Sequence, residues 1–286
     1  MLQLRPMLLT LLALIAFAGN SLLCRVALAN TQIDAASFTS IRLLSGAVVL
    51  WILLALRRRE HCEGGNWLSA LALFVYAAGF SFAYIQLNTG IGALILFGAV
   101  QTSMIAFGLW RGERFTTAQW LGLLLACAGL VGLLLPGGAA PPLLGAVLML
   151  AAGVAWGIYS LRGKGAVAPL QVTAGNFIRT IPMALLLSFG FVSQASLDSA
   201  GVYFALVSGA ITSGVGYAIW YSALPLIKAT TAATVQLSVP LLAAMGGVLL
   251  LQEPLTLRLL LASLAILGGI ALVVLAVNCT PFSRKR

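Results

Sequence analysis

"LLLQEPLTLR", residues 249–258, and "LWRGERFTTA", residues 109–118, both place a Glu-x-x-Thr element between two apolar runs. The two glutamates, Glu113 and Glu253, lie 140 residues apart in a chain that has only 6 acidic residues. The same shift pairs further residues on either side: Ala93 with Ala233, Leu109 with Leu249, Leu121 with Leu261 and Gly129 with Gly269. The sequence therefore predicts two related halves.

The composition indicates a membrane protein. Hydrophobic residues make up 61% of the chain and charged residues only 8%, whereas soluble domains carry about 25% charged residues. The net charge of +10 comes from short Lys/Arg clusters between apolar runs, which is how cytoplasmic loops are anchored, so we expect no nucleic-acid partner. The 4 cysteines are far apart and His61 is the only histidine. We therefore expect neither a metal site nor another cofactor.

Ten apolar stretches are long enough to cross a bilayer, which takes about 20 residues. They cover residues 7–26, 38–56, 67–87, 91–110, 117–135, 143–162, 173–193, 200–222, 230–251 and 257–277. The connections between them are short and rich in turn-forming or charged residues, so there is no room for a soluble domain. The predicted fold is an all-α integral membrane protein with ten transmembrane helices.

The two halves, residues 1–137 and 138–286, each contain five segments. Because five is odd, the second half enters the bilayer from the opposite face, and the repeat is predicted to be inverted. With a cytoplasmic N-terminus, almost all Lys and Arg residues outside the helices fall on the cytoplasmic side, leaving only Arg25 and Arg258 outside. We therefore expect a multi-pass protein of the cell inner membrane with both termini cytoplasmic.

The repeated Glu-x-x-Thr elements fall at equivalent helix corners on opposite membrane faces. Thr116 and Thr256 are predicted to cap the helices that follow them, and Thr116 with Gln119 fits a capping box. A carboxylate just ahead of a helix N-terminus also favours the helix dipole. This capping role for Glu113 and Glu253 is favoured over contact with a substrate, which stays an alternative.

Several features together resemble the EamA family of the drug/metabolite transporter superfamily. Each half has a Gly-Glu or Gln-Glu corner with Thr three residues later, Pro240 precedes Glu253 by thirteen residues, and Trp156-Gly157 opens the second half. The resemblance covers nearly the whole chain and is closest to bacterial amino-acid exporters, including YddG-type exporters of aromatic amino acids. The first half departs from the family pattern with Phe17-Ala18 in place of Trp-Gly and Val100 in place of Pro, so symmetric roles are not assumed.

The resemblance implies a secondary transporter that exports small metabolites from a monomer in the lipid bilayer. Amino acids are the expected substrates, with aromatic or bulky amphipathic ones favoured, and alternating access would occur around a midplane cavity between the repeats. The substrate gradient is the expected driving force, because no carboxylate is predicted at mid-depth. The alternatives are a channel, an intramembrane enzyme, or a carrier of amines or drugs. An enzyme is disfavoured because no nucleophile motif or carboxylate pair is present.

The candidate substrate-binding residues are polar and aromatic side chains at mid-depth: Asn20, Phe80, Tyr84, Gln101, Trp156, Tyr159, Asn176, Phe177, Tyr217 and Gln236. Helix packing and helix-to-helix hydrogen bonds compete with this interpretation. Pro240, near the middle of the ninth segment, is a candidate hinge. Arg42 and Arg179 lie inside segments, where snorkelling to the interface is favoured over substrate contact. Gly-x-x-x-Gly at 153–157 and Gly-x-x-x-Ser at 209–213 predict close helix packing.

Overall fold

The computed structural model describes residues 4–56, 64–112, 114–135, 140–164, 166–227, 232 and 235–276, and within these ranges the chain is helical and has no strand. The helices are α1 (Leu4–Asn30), α2 (Ala35–Leu56), α3 (Trp67–Tyr84), α4 (Thr89–Trp110), α5 (Thr117–Leu134), α6 (Leu143–Gly163), α7 (Pro169–Gly190), α8 (Ser199–Leu226), α9 (Ser238–Leu251) and α10 (Leu257–Ala276). Nine of these are long and apolar enough to span a membrane, and α9 is a shorter apolar helix. The predicted all-helical membrane fold is confirmed.

The outer surface of the bundle suits a bilayer. Leu, Val and Ile side chains cover it, which is stable only where lipid replaces water. Four tryptophans that are 46–80% exposed, Trp51, Trp67, Trp110 and Trp120, lie near the end of α2, the start of α3, the end of α4 and the start of α5. Because consecutive helices alternate in direction, these ends share one membrane face. The four rings form an interfacial aromatic belt there.

The two halves interlock rather than pack side by side. Helix α5 packs on α10, α2 packs on α7, and α4 packs on α9. The remaining main contacts come in exchanged pairs: α3 with α6 corresponds to α8 with α1, and α4 with α6 corresponds to α9 with α1. Helices α5 and α10 begin at Thr117 and Leu257, which keeps the 140-residue shift seen in the sequence. This pairing is what a repeated five-helix unit requires.

Glycines allow the closest of these crossings. A Cβ atom added at Gly153 on α6 would lie 2.6 Å from the Cβ of Ala99 on α4, and one added at Gly157 would overlap the hydroxyl of Ser103. Only the missing side chain lets the two backbones approach this far. The packing role predicted for this Gly-x-x-x-Gly pair is confirmed.

The two threonines of the repeated corner cap helices as predicted. The Thr116 side chain accepts from the backbone N–H of Gln119 at 3.4 Å, and the Gln119 side chain accepts from the backbone N–H of Thr116 at 2.8 Å, which completes the capping box. The Thr256 hydroxyl accepts from the backbone N–H of Leu259 at 3.1 Å. The first turns of α5 and α10 are therefore stabilised in the same way.

Glu253 does bind a helix N-terminus, but the predicted helix is wrong. Its carboxylate accepts from the backbone N–H of Thr89, the first residue of α4, at 2.8 Å, rather than from α10. The carboxylate also forms an ion pair with Arg25 on α1, 3.4 Å from Nε. Gln252 takes a left-handed conformation (φ 53°) after α9, which turns the chain back toward α4. Glu113, its counterpart, lies outside the described residues.

Pro240 lies in the first turn of α9, so the predicted position near the middle of a helix is wrong. The sequence analysis began the ninth segment at residue 230, but α9 begins at Ser238, after a turn at Leu237. A proline in the first turn removes only an N–H that has no partner inside the helix. No carbonyl in the middle of α9 is therefore freed by it, and the hinge role stays a prediction.

Candidate substrate pocket

A pocket with a volume of about 440 Å³ lies inside the bundle where the two halves meet. Helices α1, α3 and α4 of the first half and α6 and α8 of the second half surround it, together with one residue just before α9. It is lined by Phe17, Asn20, Ser21, Tyr76, Phe80, Leu96, Phe97, Trp156, Thr212, Tyr217 and Gln236. The interface between inverted repeats is where transporters of this kind of architecture bind their solutes.

Aromatic rings fill most of the pocket wall and contact one another. The ring of Trp156 is 4.7 Å from that of Tyr76 and 5.4 Å from that of Tyr217. Tyr76 in turn lies 5.5 Å from Phe80, and Phe17 meets the ring of Tyr217 edge-on at 5.8 Å. These separations are those of favourable aromatic pairs. A planar solute can therefore enter only by separating the rings, and it would replace their mutual contacts with its own.

Asn20 joins the two halves through a buried hydrogen-bond network. Its Oδ1 accepts from the hydroxyls of Ser208 at 2.8 Å and Thr212 at 3.3 Å, and its Nδ2 donates to the Tyr76 hydroxyl at 3.5 Å. Both hydroxyl residues belong to a π-helical stretch of α8, Ser208–Val215. Such stretches occur often at functional sites, because the wider turn places additional side chains on one face.

Arg42 does not snorkel to the interface, and that interpretation is wrong. The side chain is only 2% exposed because α7 and α8 cover this face of α2. Its Nη2 donates to the Tyr76 hydroxyl at 3.2 Å, and its Nε donates to the Ser213 hydroxyl at 3.3 Å. The guanidinium carbon lies 5.0 Å from the centre of the Phe80 ring. Nη1 is buried and has no hydrogen-bond partner among the described residues.

Five of the ten candidate residues line this pocket, and two more lie next to it. The five are Asn20, Phe80, Trp156, Tyr217 and Gln236. Tyr84 packs edge-on against Phe80 at 4.7 Å, and its hydroxyl donates to the backbone oxygen of Thr89 at 3.2 Å. Phe177 lies behind the wall, 5.9 Å from the ring of Tyr217. Their roles in substrate binding stay predictions.

The last three candidates are not brought to the pocket. Tyr159 and Asn176 border a smaller pocket of about 240 Å³ near the end of α6. The Asn176 side chain accepts from the backbone N–H of Asn66, just before α3, at 2.9 Å, which is a structural contact. Gln101 is buried on α4 and does not line either pocket.

Two pocket residues that were not among the candidates carried a signal in the sequence. Tyr76 lies four residues before Phe80 and therefore on the same face of α3. A shift of 139 residues matches Phe17 with Trp156, and both rings line the pocket. Arg42 carried no such signal, because its depth in the sequence does not show which neighbours cover it.

The carboxylates in the described part of the chain lie at helix ends, away from the pocket. Asp198 accepts from the backbone N–H of Gly201 in the first turn of α8, as Glu253 does from α4. Burial raises the pKa of Asp34, but hydrogen bonds from Ser37 and Ser196 lower it more, and the pKa lies below its usual value. Within the described ranges there is also no cluster of residues that could hold a metal ion.

A membrane bundle of two interlocked, related halves around a central pocket defines a transporter of small molecules. The chain belongs to the EamA-like transporter family, whose model matches residues 4–135 and again residues 143–275. The family resemblance found in the sequence is thereby confirmed, and it indicates a multi-pass membrane transporter rather than an enzyme.

Relatives from other organisms are similar over nearly their full length. "Uncharacterized protein PA1977" of Pseudomonas aeruginosa is 59% identical over 270 residues, 94% of each chain. "Uncharacterized transporter YoaV" of Bacillus subtilis is 25% identical over 266 residues, which is 87% of this chain and 88% of YoaV. A crystal structure of a protein with 17% sequence identity matches with a TM-score of 0.68 over 96% of this chain and 99% of that chain. That last likeness concerns the fold alone.

Proposed function

We propose that the protein is a secondary exporter of amino acids that favours aromatic and other bulky amphipathic ones. The observation that carries this proposal is the set of contacting rings around Trp156 between the two halves. A substrate ring can take the place of a ring-to-ring contact, whereas a small polar solute cannot. Rocking of the halves, residues 1–137 and 138–286, against each other would expose the pocket to each side in turn.

The proposed setting is a monomer in the cell inner membrane with both termini cytoplasmic. Arg5 lies at the start of α1, Arg111 just after α4 and Arg162 at the end of α6. In an alternating bundle these three ends share one face, which also carries the tryptophan belt. The rule that Lys and Arg accumulate on the cytoplasmic side supports this orientation.

We propose that the gradient of the substrate itself drives transport. The described pocket residues include no carboxylate that could carry a proton or bind sodium. A zwitterionic amino acid carries no net charge, so its movement does no work against the membrane potential, whereas one charge would involve about 2.3 kcal/mol per 100 mV. In proteoliposomes, flux should therefore continue when a pH gradient is collapsed and the substrate gradient is kept. Flux that stops would refute this driving force.

Trp156→Ala tests the aromatic preference. Loss of its ring contacts, each worth about 0.5–1.5 kcal/mol, should lower phenylalanine flux by about tenfold and threonine flux much less. The matched control is Trp120→Ala, because this ring faces lipid with 46% exposure and should affect neither solute. Equal loss for both solutes, or loss of folded protein, would assign Trp156 to packing instead.

The same proteoliposomes separate the other classes of function. Flux that saturates with solute concentration supports a carrier, and flux that does not saturate supports a channel. Turnover of the solute by purified protein in detergent, where there are no compartments, would reveal an enzyme.

A further inference from the structure

We propose that Arg42 binds the carboxylate of the transported solute, so that the protein selects solutes with an anionic group. This inference rests on the proposed transport function and names the chemical class of its substrate. It starts from an arginine that is almost fully buried inside the membrane bundle and whose Nη1 has no partner in the described part of the chain.

The positive charge of Arg42 has no anionic neighbour within the described ranges. The ionisable groups closest to it in charge interaction are Tyr76, Tyr217 and Cys24, and side chains of these types are neutral at pH 7. The carboxylates of the described ranges are bound elsewhere, at helix N-termini: Asp34, Asp198 and Glu253. A buried charge without a counter-ion is costly, and inside a membrane protein it marks a functional site.

The contacts that Arg42 does make prepare it for a ligand. Tyr76 holds Nη2 and Ser213 holds Nε, so the plane of the guanidinium is fixed from α3 and from the π-helical stretch of α8. Both anchors are neutral hydroxyls, which orient the group without cancelling its charge. The planar fork with Nη1 unoccupied matches the geometry of a carboxylate.

Arg42 is separated from the pocket only by side chains that line it. The Tyr76 hydroxyl accepts from Arg42 on one side and from Asn20, a pocket residue, on the other. The Phe80 ring lies between α2 and the pocket, with the guanidinium 5.0 Å from its centre. A solute that parts these rings would place its own ring near Trp156 and its carboxylate within reach of Nη1. An aromatic amino acid has both groups at that spacing.

Arg179 provides a matched comparison within the same chain. It follows Arg162 by 17 residues, as Arg42 follows Arg25, so the two arginines are related by the repeat. Arg179 is half-buried, and its Nη1 donates to the backbone oxygens of Gly64 at 2.8 Å and Gly175 at 2.9 Å. The position equivalent in sequence is therefore satisfied by the protein itself.

Flux of three related solutes into proteoliposomes tests the proposal. Phenylalanine carries both charged groups, phenethylamine lacks the carboxylate, and 3-phenylpropanoate lacks the amino group. We expect the wild-type protein to move phenylalanine at least tenfold faster than phenethylamine, as the loss of one charge-assisted contact implies. Arg42→Gln should lower phenylalanine flux about tenfold without lowering phenethylamine flux. Arg179→Gln should leave the preference between these two solutes unchanged.

Several results would overturn the proposal. Wild-type flux of phenethylamine equal to that of phenylalanine does so without any variant, and so does an equal loss of both in Arg42→Gln. Absence of flux for all three solutes would instead reject the proposed transport of aromatic solutes. In that case melting temperatures in detergent decide the role of Arg42: a shift by 3-phenylpropanoate in wild type but not in Arg42→Gln supports it. Equal shifts in both proteins, or no shift in wild type, overturn it.

Discussion

Glu253→Ala removes the carboxylate that joins three parts of the bundle at one membrane face. Glu253 follows α9 and binds the backbone N–H of Thr89 at the start of α4 at 2.8 Å, together with the Thr89 hydroxyl at 3.2 Å. It also pairs with Arg25 on α1, whose Nη1 donates to the backbone oxygens of Tyr84 at 2.9 Å and Ile85 at 3.1 Å at the end of α3. One side chain thus connects both halves.

The expected loss of stability follows from these contacts. Removing a helix cap costs about 0.5–2 kcal/mol, and a charged acceptor makes the contact about twice as strong as a neutral one. We therefore expect Glu253→Ala to cost about 2–3 kcal/mol. Glu253→Gln keeps an acceptor for Thr89 and loses the ion pair, at a cost of about 1 kcal/mol. Arg25 keeps its two carbonyl partners, so the larger cost of a buried charge without any partner does not apply.

The assay is thermal unfolding of the purified protein in detergent. At about 2–4 °C per kcal/mol, Glu253→Ala should lower the melting temperature by about 4–12 °C and Glu253→Gln by about 2–4 °C. Asp198→Asn is the control, because Asp198 also caps a helix but has no ion pair among the described residues. It should shift the melting temperature by no more than Glu253→Gln does. A Glu253→Ala protein as stable as wild type would refute this account of the corner.

Three further predictions concern packing, acid stability and topology. Gly209→Ala places a methyl group against the backbone of α2 and should cost about 1–3 kcal/mol in thermal unfolding, whereas Gly132→Ala, with open space around it, should not destabilise; equal losses would contradict this. The pKa of Asp34 is lower in the folded protein than in the unfolded chain, so its stabilisation is present above about pH 4 and lost below it. The difference in melting temperature between wild type and Asp34→Asn should therefore shrink from about pH 6 to about pH 3, and a constant difference would refute it. Single cysteines replacing Glu113 and Glu253 should react with a membrane-impermeant reagent from opposite sides; reaction of both from one side rejects the inversion.

The sequence predicted the helices well because the bilayer imposes their length and composition. Apolar runs of about 20 residues have no other stable arrangement in lipid. The caps at Thr116 and Thr256 were also predictable, since each cap bonds to a backbone group only three residues away. The partner of Glu253 was not predictable in the same way. It lies 164 residues away at Thr89, and only the packing of the two halves brings them together.

The candidate site was predicted less completely because a sequence gives the depth of a residue in the membrane but not its direction. These helices are apolar on all sides, so no polar face marks which side points inward. Trp156 and Gln101 are both at mid-depth, yet only Trp156 lines the pocket. Arg42 was assigned to the interface for the same reason. Its burial depends on α7 and α8 covering α2, and nothing near residue 42 in the sequence encodes that.

Helix α3 is the element on which arginines from three other helices converge. Arg25 on α1 donates to the backbone oxygens at its C-terminal end, where the helix dipole favours a cation. Arg162 on α6 donates to Ser69 at 3.0 Å near its N-terminal end. Arg42 holds Tyr76 in between. Opening the pocket to one face would require release of the end contact on that face while the other holds. A carboxylate that takes Nη1 of Arg42 would bind beside Tyr76, at the middle of the same helix, where it can favour either release.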